Sequence, residues 1–227
     1  MRTIKNQLLF LSSCIILLLT SCTKNEDVGT HLYDGVNYSK VTGLDVESAS
    51  LYDVRDDEIY AVVAIGNKYW MAENLRYAAS DAMLNPNNPS KEYGYLYDWN
   101  TAKTACPEGW HLASDADWKA LEATLEMAEA DLSILGARAL MKLSSLKALT
   151  GWKNENNGSN ASSFSMFPAG RYQLDNFENL EDYAFFWTST RNTGNESIGR
   201  YVFHSLDQIN RTYIDHSMRL SCRCVLN

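Results

Sequence analysis

The residues of this chain that could do chemistry are few and scattered. Cysteines stand at Cys14, Cys22, Cys106, Cys222 and Cys224, and histidines at His31, His111, His204 and His216. Zinc chemistry asks for CxxC pairs or an HExxH helix, and calcium for an EF-hand loop; the sequence holds none of these spacings. Hard oxygens do crowd one stretch, Asp175, Asn176, Glu178, Asn179, Glu181 and Asp182. Calcium favours such ligands, but a solvated acidic loop gives the same pattern and is the preferred reading, so no cofactor is expected. There is no GxSxG elbow for a serine nucleophile. Cys222 and Cys224 would lie on one face of a strand, too far apart to bridge easily, and make a poor reactive thiol pair. Any two acids can meet in space to cleave a glycosidic bond, yet nothing singles out a pair. His111 follows Trp110 beside a turn and reads as a packing or capping residue.

The elements around these residues can be read from pattern. Trp99–Leu125 predicts a short helix ending at Cys106, a turn at Pro107 and Gly109, and a second helix. Ser114 is the N-cap of that second helix, Asp117 falls three residues on, as in a capping box, and Trp118, Leu121 and Leu125 give one apolar stripe. A bridge from Cys106 to the cysteines at the C-terminal end would tie the middle of the domain to its end, and either Cys222 or Cys224 could reach it. Before the helices, Asp56-Asp57 predicts a hairpin turn, with strands over Ile59–Ile65 and Lys68–Met71 separated by Gly66-Asn67. After them, the Leu-, Ala- and Lys-rich run Leu132–Leu149 predicts a helix broken at Gly136. Gly151–Ser163, with four asparagines, is a long loop of the kind that often carries function. Phe164–Tyr172, Ala184–Thr190, Gly199–Ser205 and Met218–Val225 read as strands, and Asp175–Asp182 as an acidic loop.

The 227 residues suffice for one domain with a full core, and 45% hydrophobic with 21% charged residues marks a globular body. A net charge of −8 without a basic stripe argues against nucleic acid as a partner. The many tyrosines and tryptophans alternate as strand residues do and read mainly as core.

Residues 1–21 have a positive start at Arg2 and Lys5 and an apolar run too short to span a membrane, which reads as an export signal. The run ends Leu19-Thr20-Ser21-Cys22, which resembles the bacterial lipoprotein cleavage box and implies acylation of Cys22. Membrane attachment would then be through the lipid anchor, without a spanning segment. Lys24, Glu26 and Asp27 just beyond resemble a surface-export signal, so the expected place is the outer membrane, at the cell surface. Residues 22–44 read as a polar tether and 45–227 as the folded domain.

Five separated stretches, IGNKYWMAENL, YGYLYDWNTAKTACPEGWHLASDADWKAL, FSMFPAGRY, FFWTST and SCRCV, occur in an order that resembles the Fibrobacter succinogenes major paralogous domain. That family resembles the C-type-lectin-like fold. The resemblance implies an α+β domain, two helices packed on a small, mostly antiparallel sheet, closed by one long-range disulfide. It implies Cys106–Cys224 for that bridge and leaves Cys222 as a buried free thiol. Closing a loop of this length stabilises a fold by about 4–5 kcal/mol in the chain-entropy model. It also implies a ligand surface on the long loops: Trp152, Asn154, Asn156, Asn157 and Asn160, with the Asp175–Asp182 loop. A tryptophan ring can cover a pyranose face while amides bond its hydroxyls; equally, Trp152 could close the core. The expected function is non-catalytic binding of a glycan or a surface protein. An extracytoplasmic enzyme on a related fold, or a structural subunit of a surface assembly, are the alternatives.

Overall fold

The computed structural model describes residues 30–33 and 35–227; the leader and Cys22 lie outside them. β1 (Thr30–Tyr33) and β2 (Val36–Ser39) form a hairpin within the stretch expected to be tether. β3 (Leu44–Asp45), β4 (Ser50–Asp53), β5 (Glu58–Ile65) and β6 (Lys68–Met71) follow as an antiparallel meander. α1 (Trp99–Ala105) starts at Asp98, whose carboxylate accepts from the Asn100 and Thr101 amides. β7 (Trp110–Leu112) leads to α2 (Asp115–Thr124), where the Ser114–Asp117 capping box is complete. Then come β8 (Gly136–Ala139), the one-turn α3 (Leu143–Leu146), the hairpin of β9 (Arg171–Gln173) and β10 (Asn176–Glu178), and β11 (Tyr183–Arg191). β12 (Glu196–Phe203), β13 (Gln208–Asp215) and β14 (Cys224–Leu226) complete the chain.

Two sheets organise these elements. One has the order β3-β4-β5-β6-β14-β7, so the last strand is inserted between β6 and β7, with Val225 facing Trp70 on one side and His111 on the other. The second has the order β11-β12-β13-β8. Cys106 and Cys224 are bonded, their Cα atoms 5.8 Å apart, and Cys222 is buried and free.

The expected two-helix, lectin-like α+β fold is therefore corrected. The chain is mostly β, 38% strand against 14% helical, in several sheets, and a two-helix lectin-like fold is not what it forms. Two local causes can be named. The Leu132–Leu149 run has helical composition, but Gly136 (φ +95°) opens a strand that pairs with β13, and only Leu143–Leu146 stays helical. Tertiary pairing overrides propensity there. β13 itself was hidden because Asn210 and Arg211 interrupt its apolar pattern. Phe164–Tyr172 enters the strands only at Arg171, and Met218–Val225 only at Cys224.

α2 is where the two sheets meet. Its Trp118, Leu121 and Leu125 share a core cluster with Trp70 and Val225 of the first sheet and Phe186, Val202 and Ile209 of the second. The rings of Trp70, Trp118 and Phe164 meet edge to face at 5.5–5.9 Å, a favoured aromatic geometry. The same helix face carries two acids into the interior. Glu122 takes a two-pronged bond from Arg138 (2.7 and 2.9 Å) and a third from Arg200 Nε (2.7 Å). Asp115 takes Arg211 through both oxygens (2.8 and 2.9 Å) and Arg200 at 2.9 Å. Burial opposes ionisation of Asp115, but Arg211 and Arg200 outweigh it and hold its pKa at about 2. Charges buried this way are tolerable only while every partner is present.

At the start of α2, His111 Nε2 lies 3.0 Å from Asp117 and its Nδ1 2.7 Å from the Asn227 side chain. The bond to Asp117 raises the pKa of His111 above its ordinary value, against burial. Burial would raise the Asp117 carboxyl, but the bonds from His111, Lys68 and Ser114 hold it well below the carboxylate range.

Glu122→Ala strands Arg138 and Arg200 in the interior and should cost about 3–5 kcal/mol in urea unfolding. Because the His111 pKa is raised on folding, its contribution is complete below about pH 6.5 and fades as pH rises through the folded-state value. The urea midpoint of the native chain should therefore fall between about pH 6 and pH 8 by more than that of His111→Gln; equal falls would deny His111 this role.

Candidate functional site

The four-stranded sheet has two faces with different fates. Ala184 and Phe186 on β11 point inward with Val202, Arg200, Ile209, Arg211 and Arg138 on the partner strands, against α2. Tyr183, Phe185 and Trp187 alternate to the opposite face, across from Phe203, Tyr201 and Gly199. α1 covers one end of that outer face: Trp99 Nε1 donates to the Thr188 carbonyl and Trp187 Nε1 to the Tyr97 carbonyl. Beyond α1 the described residues leave the face partly open.

That part of the face is a strip of four rings, three of them partly open. Tyr183 stacks on Phe185 at 5.3 Å and meets Phe203 at 4.7 Å; Phe185 meets Tyr201 at 5.5 Å. Tyr183, Tyr201 and Phe203 are half-buried, while Phe185 is sealed beneath them. Two clefts border the strip. One, of about 380 Å³, is lined by Arg171, Asn179, Tyr183, Phe185 and Tyr201. The other, of about 110 Å³, shares Arg171, Phe185 and Tyr201 and adds Thr212, Ile214 and Met218 among others. Apolar walls with a few convergent polar groups are the usual make-up of a small-ligand site. A larger cleft, about 470 Å³, lies at Glu58, Arg76 and Lys91. Its charges are spent on each other: Arg76 bonds Glu58 and Glu73, and Lys91 Nζ is 3.7 Å from Glu58. The aromatic strip is the better candidate.

The residues singled out from sequence fall elsewhere. Trp152 is 4% exposed, lies in the core cluster around α2 and donates its Nε1 to the Met166 carbonyl, so its ring offers no platform. The Asn157 side chain accepts the Trp152 amide, and Asn160 bonds Ser165 through both ends of its side chain. Asn156 donates to the Lys153 carbonyl and contacts His204; Asn154 is exposed, at φ +55°. The asparagines of this loop thus largely brace it. The acidic loop is likewise occupied by its neighbours: Glu178 takes Arg171 and Gln173, Asp182 takes Lys153, and Asp175 takes Tyr172. Among the described residues no group of three or more His, Cys, Asp or Glu side chains could hold a metal ion.

Catalytic pairings are equally confined. Ser197 Oγ lies 2.7 Å from His216 Nε2, the spacing of a nucleophile and its base. Ser197, however, is fully buried, and Trp99 stacks flat on the imidazole at 4.2 Å. Cys222 is also fully buried, and burial pushes its thiol well above the ordinary range, away from thiolate reactivity.

The strip is not legible in the sequence because its members, spread over AFFWTST and GRYVFHS, read as alternating strand residues. Which half of a strand's outer face a helix will cover is not written in the strand. Trp152→Ala should behave as a core truncation, costing about 3–5 kcal/mol in denaturant unfolding rather than a selective loss of binding.

Residues 63–226 match the model of the Fibrobacter succinogenes major domain. No curated protein and no solved structure matches the chain. With the match running from β5 to the last strand and including both cysteines of the bridge, the chain belongs to the Fibrobacter succinogenes major domain family.

Proposed function

We propose that this domain is a non-catalytic binding module that takes a glycan on the outer aromatic strip, and that acylated Cys22 displays it at the cell surface. The observation that carries the reading is the strip itself. Tyr183, Tyr201 and Phe203 leave ring surface open in contact with one another, between clefts edged by Arg171, Asn179 and Thr212. Saccharide rings have apolar C–H faces and polar rims, which suit ring stacking flanked by hydrogen-bond donors. The buried state of Ser197 and Cys222 supports binding over catalysis. The surface display rests on the leader and the Leu19-Thr20-Ser21-Cys22 box.

The test is a glycan array followed by calorimetry on the detergent-solubilised full-length chain. Tyr201→Ala should lower the affinity for the array's best ligand about tenfold or more while the thermal midpoint stays within a few degrees. Unchanged affinity in that variant would remove the strip as the site. Metabolic labelling with a fatty-acid probe, lost in Cys22→Ser, together with protease access on intact cells, checks the display.

A further inference from the structure

We propose that the strip selects a saccharide bearing carboxylates, a uronic-acid chain, and that Arg171 is the residue that recognises it. This rests on the reading of the strip as a glycan site.

Three observations carry it. Arg171 lines both clefts, so a chain lying across the strip passes its guanidinium. Among the described residues it is also the only one lining either cleft that carries a formal charge at neutral pH, in a protein whose net charge is −8. Among the described lining residues the wall thus carries one cation, with the Glu178 carboxylate set behind it as its ion partner. Finally, the group is held ready without being tightly used. Its ion partner Glu178 reaches it through one oxygen, Oε2, at 3.3 Å from Nη2 and 3.4 Å from Nε, both long for a charged pair. That same oxygen takes the Gln173 amide at 2.9 Å. A ligand carboxylate that presents both oxygens can make the paired fork that Glu178 does not. Glu178 then keeps Gln173 as its partner.

The backbone keeps the guanidinium in place. Gly170 N donates to the Tyr183 carbonyl and Tyr172 N to the Arg219 carbonyl, one on each side of Arg171. The side chain lies over the Phe185 ring, its Cζ 5.1 Å from the centroid, so stacking and ion recognition converge on one spot.

The experiment titrates the detergent-solubilised full-length chain with oligogalacturonate, oligomannuronate and hyaluronan fragments, each beside its methyl ester, which keeps the sugar and removes the charge. At least one acid should bind about tenfold or more tightly than its ester, with the advantage shrinking as salt rises. Arg171→Gln should abolish the advantage and leave the weaker ester binding in place. Glu178→Gln should strengthen acid binding. Equal affinity for acid and ester, or an advantage that survives in Arg171→Gln, overturns the proposal and leaves the glycan reading standing. Failure of every acid and ester, while a neutral glycan binds and is lost in Tyr201→Ala, also overturns it alone. Failure of all saccharides overturns both.

Discussion

Arg223 carries a positive charge to the centre of this protein, with oxygen dipoles and ring faces around it. It is fully buried. Its guanidinium donates to the Asn74 side chain, to the Met71 carbonyl and to the carbonyls of Phe164 and Ser165, and it lies over the faces of Phe164 and Phe186. Burial pushes its pKa down to about 9, still high enough to stay charged at neutral pH. A buried charge without these acceptors would be prohibitively costly. The end of β6, the loop after the asparagines and the last strand must therefore assemble together or not at all. Four of the five sequence stretches that carry the family resemblance supply these contacts: Met71 and Asn74, Phe164 and Ser165, Phe186, and Arg223 itself. Next to it, Cys224 secures the same strand to the end of α1.

The openness of the candidate site follows from how the interior is filled. α2 needs the inner face of the second sheet for Glu122 and Asp115, whose arginines come from β8, β12 and β13. That commits the aromatic side of β11 and β12 to the outside. α1 is only seven residues long, about 10 Å, and covers the Trp187 end alone. The β9–β10 hairpin borders what is left. It can approach because residue 170 is glycine: at φ +67°, a side-chain carbon there would come within 2.1 Å of the Glu178 carbonyl.

Local signals were legible in the sequence and partners across the fold were not. The capping box at Ser114, the short helix ending at Cys106, the hairpin at Asp56-Asp57 and the bridge from Cys106 could all be read, because each depends on nearby residues or on the family pattern. The ionic cluster could not. Asp115 and Glu122 look like ordinary surface acids on an amphipathic helix, and Arg138, Arg200 and Arg211 like breaks in strands; only pairing between distant elements makes them core. The same blindness hid β8 and β13, and with them the mostly-β character of the fold. For the site, sequence favoured a lone tryptophan among amides, whereas the exposed rings are tyrosines and a phenylalanine in strands. Trp152 had a large apolar ring that the core needed, and the asparagines had turns to brace.

All six tryptophans of the chain, Trp70, Trp99, Trp110, Trp118, Trp152 and Trp187, lie inside it, each no more than 5% exposed. The aromatic groups open to solvent on the strip are tyrosine and phenylalanine. The two aromatic signals therefore differ in reach. Indole emission reports the packing of the interior alone, while phenol absorbance reports the outer face together with buried rings such as Tyr60, Tyr93 and Tyr97. A ligand seated on the strip would perturb phenol absorbance with little change in indole emission, whereas a loss of packing would change both.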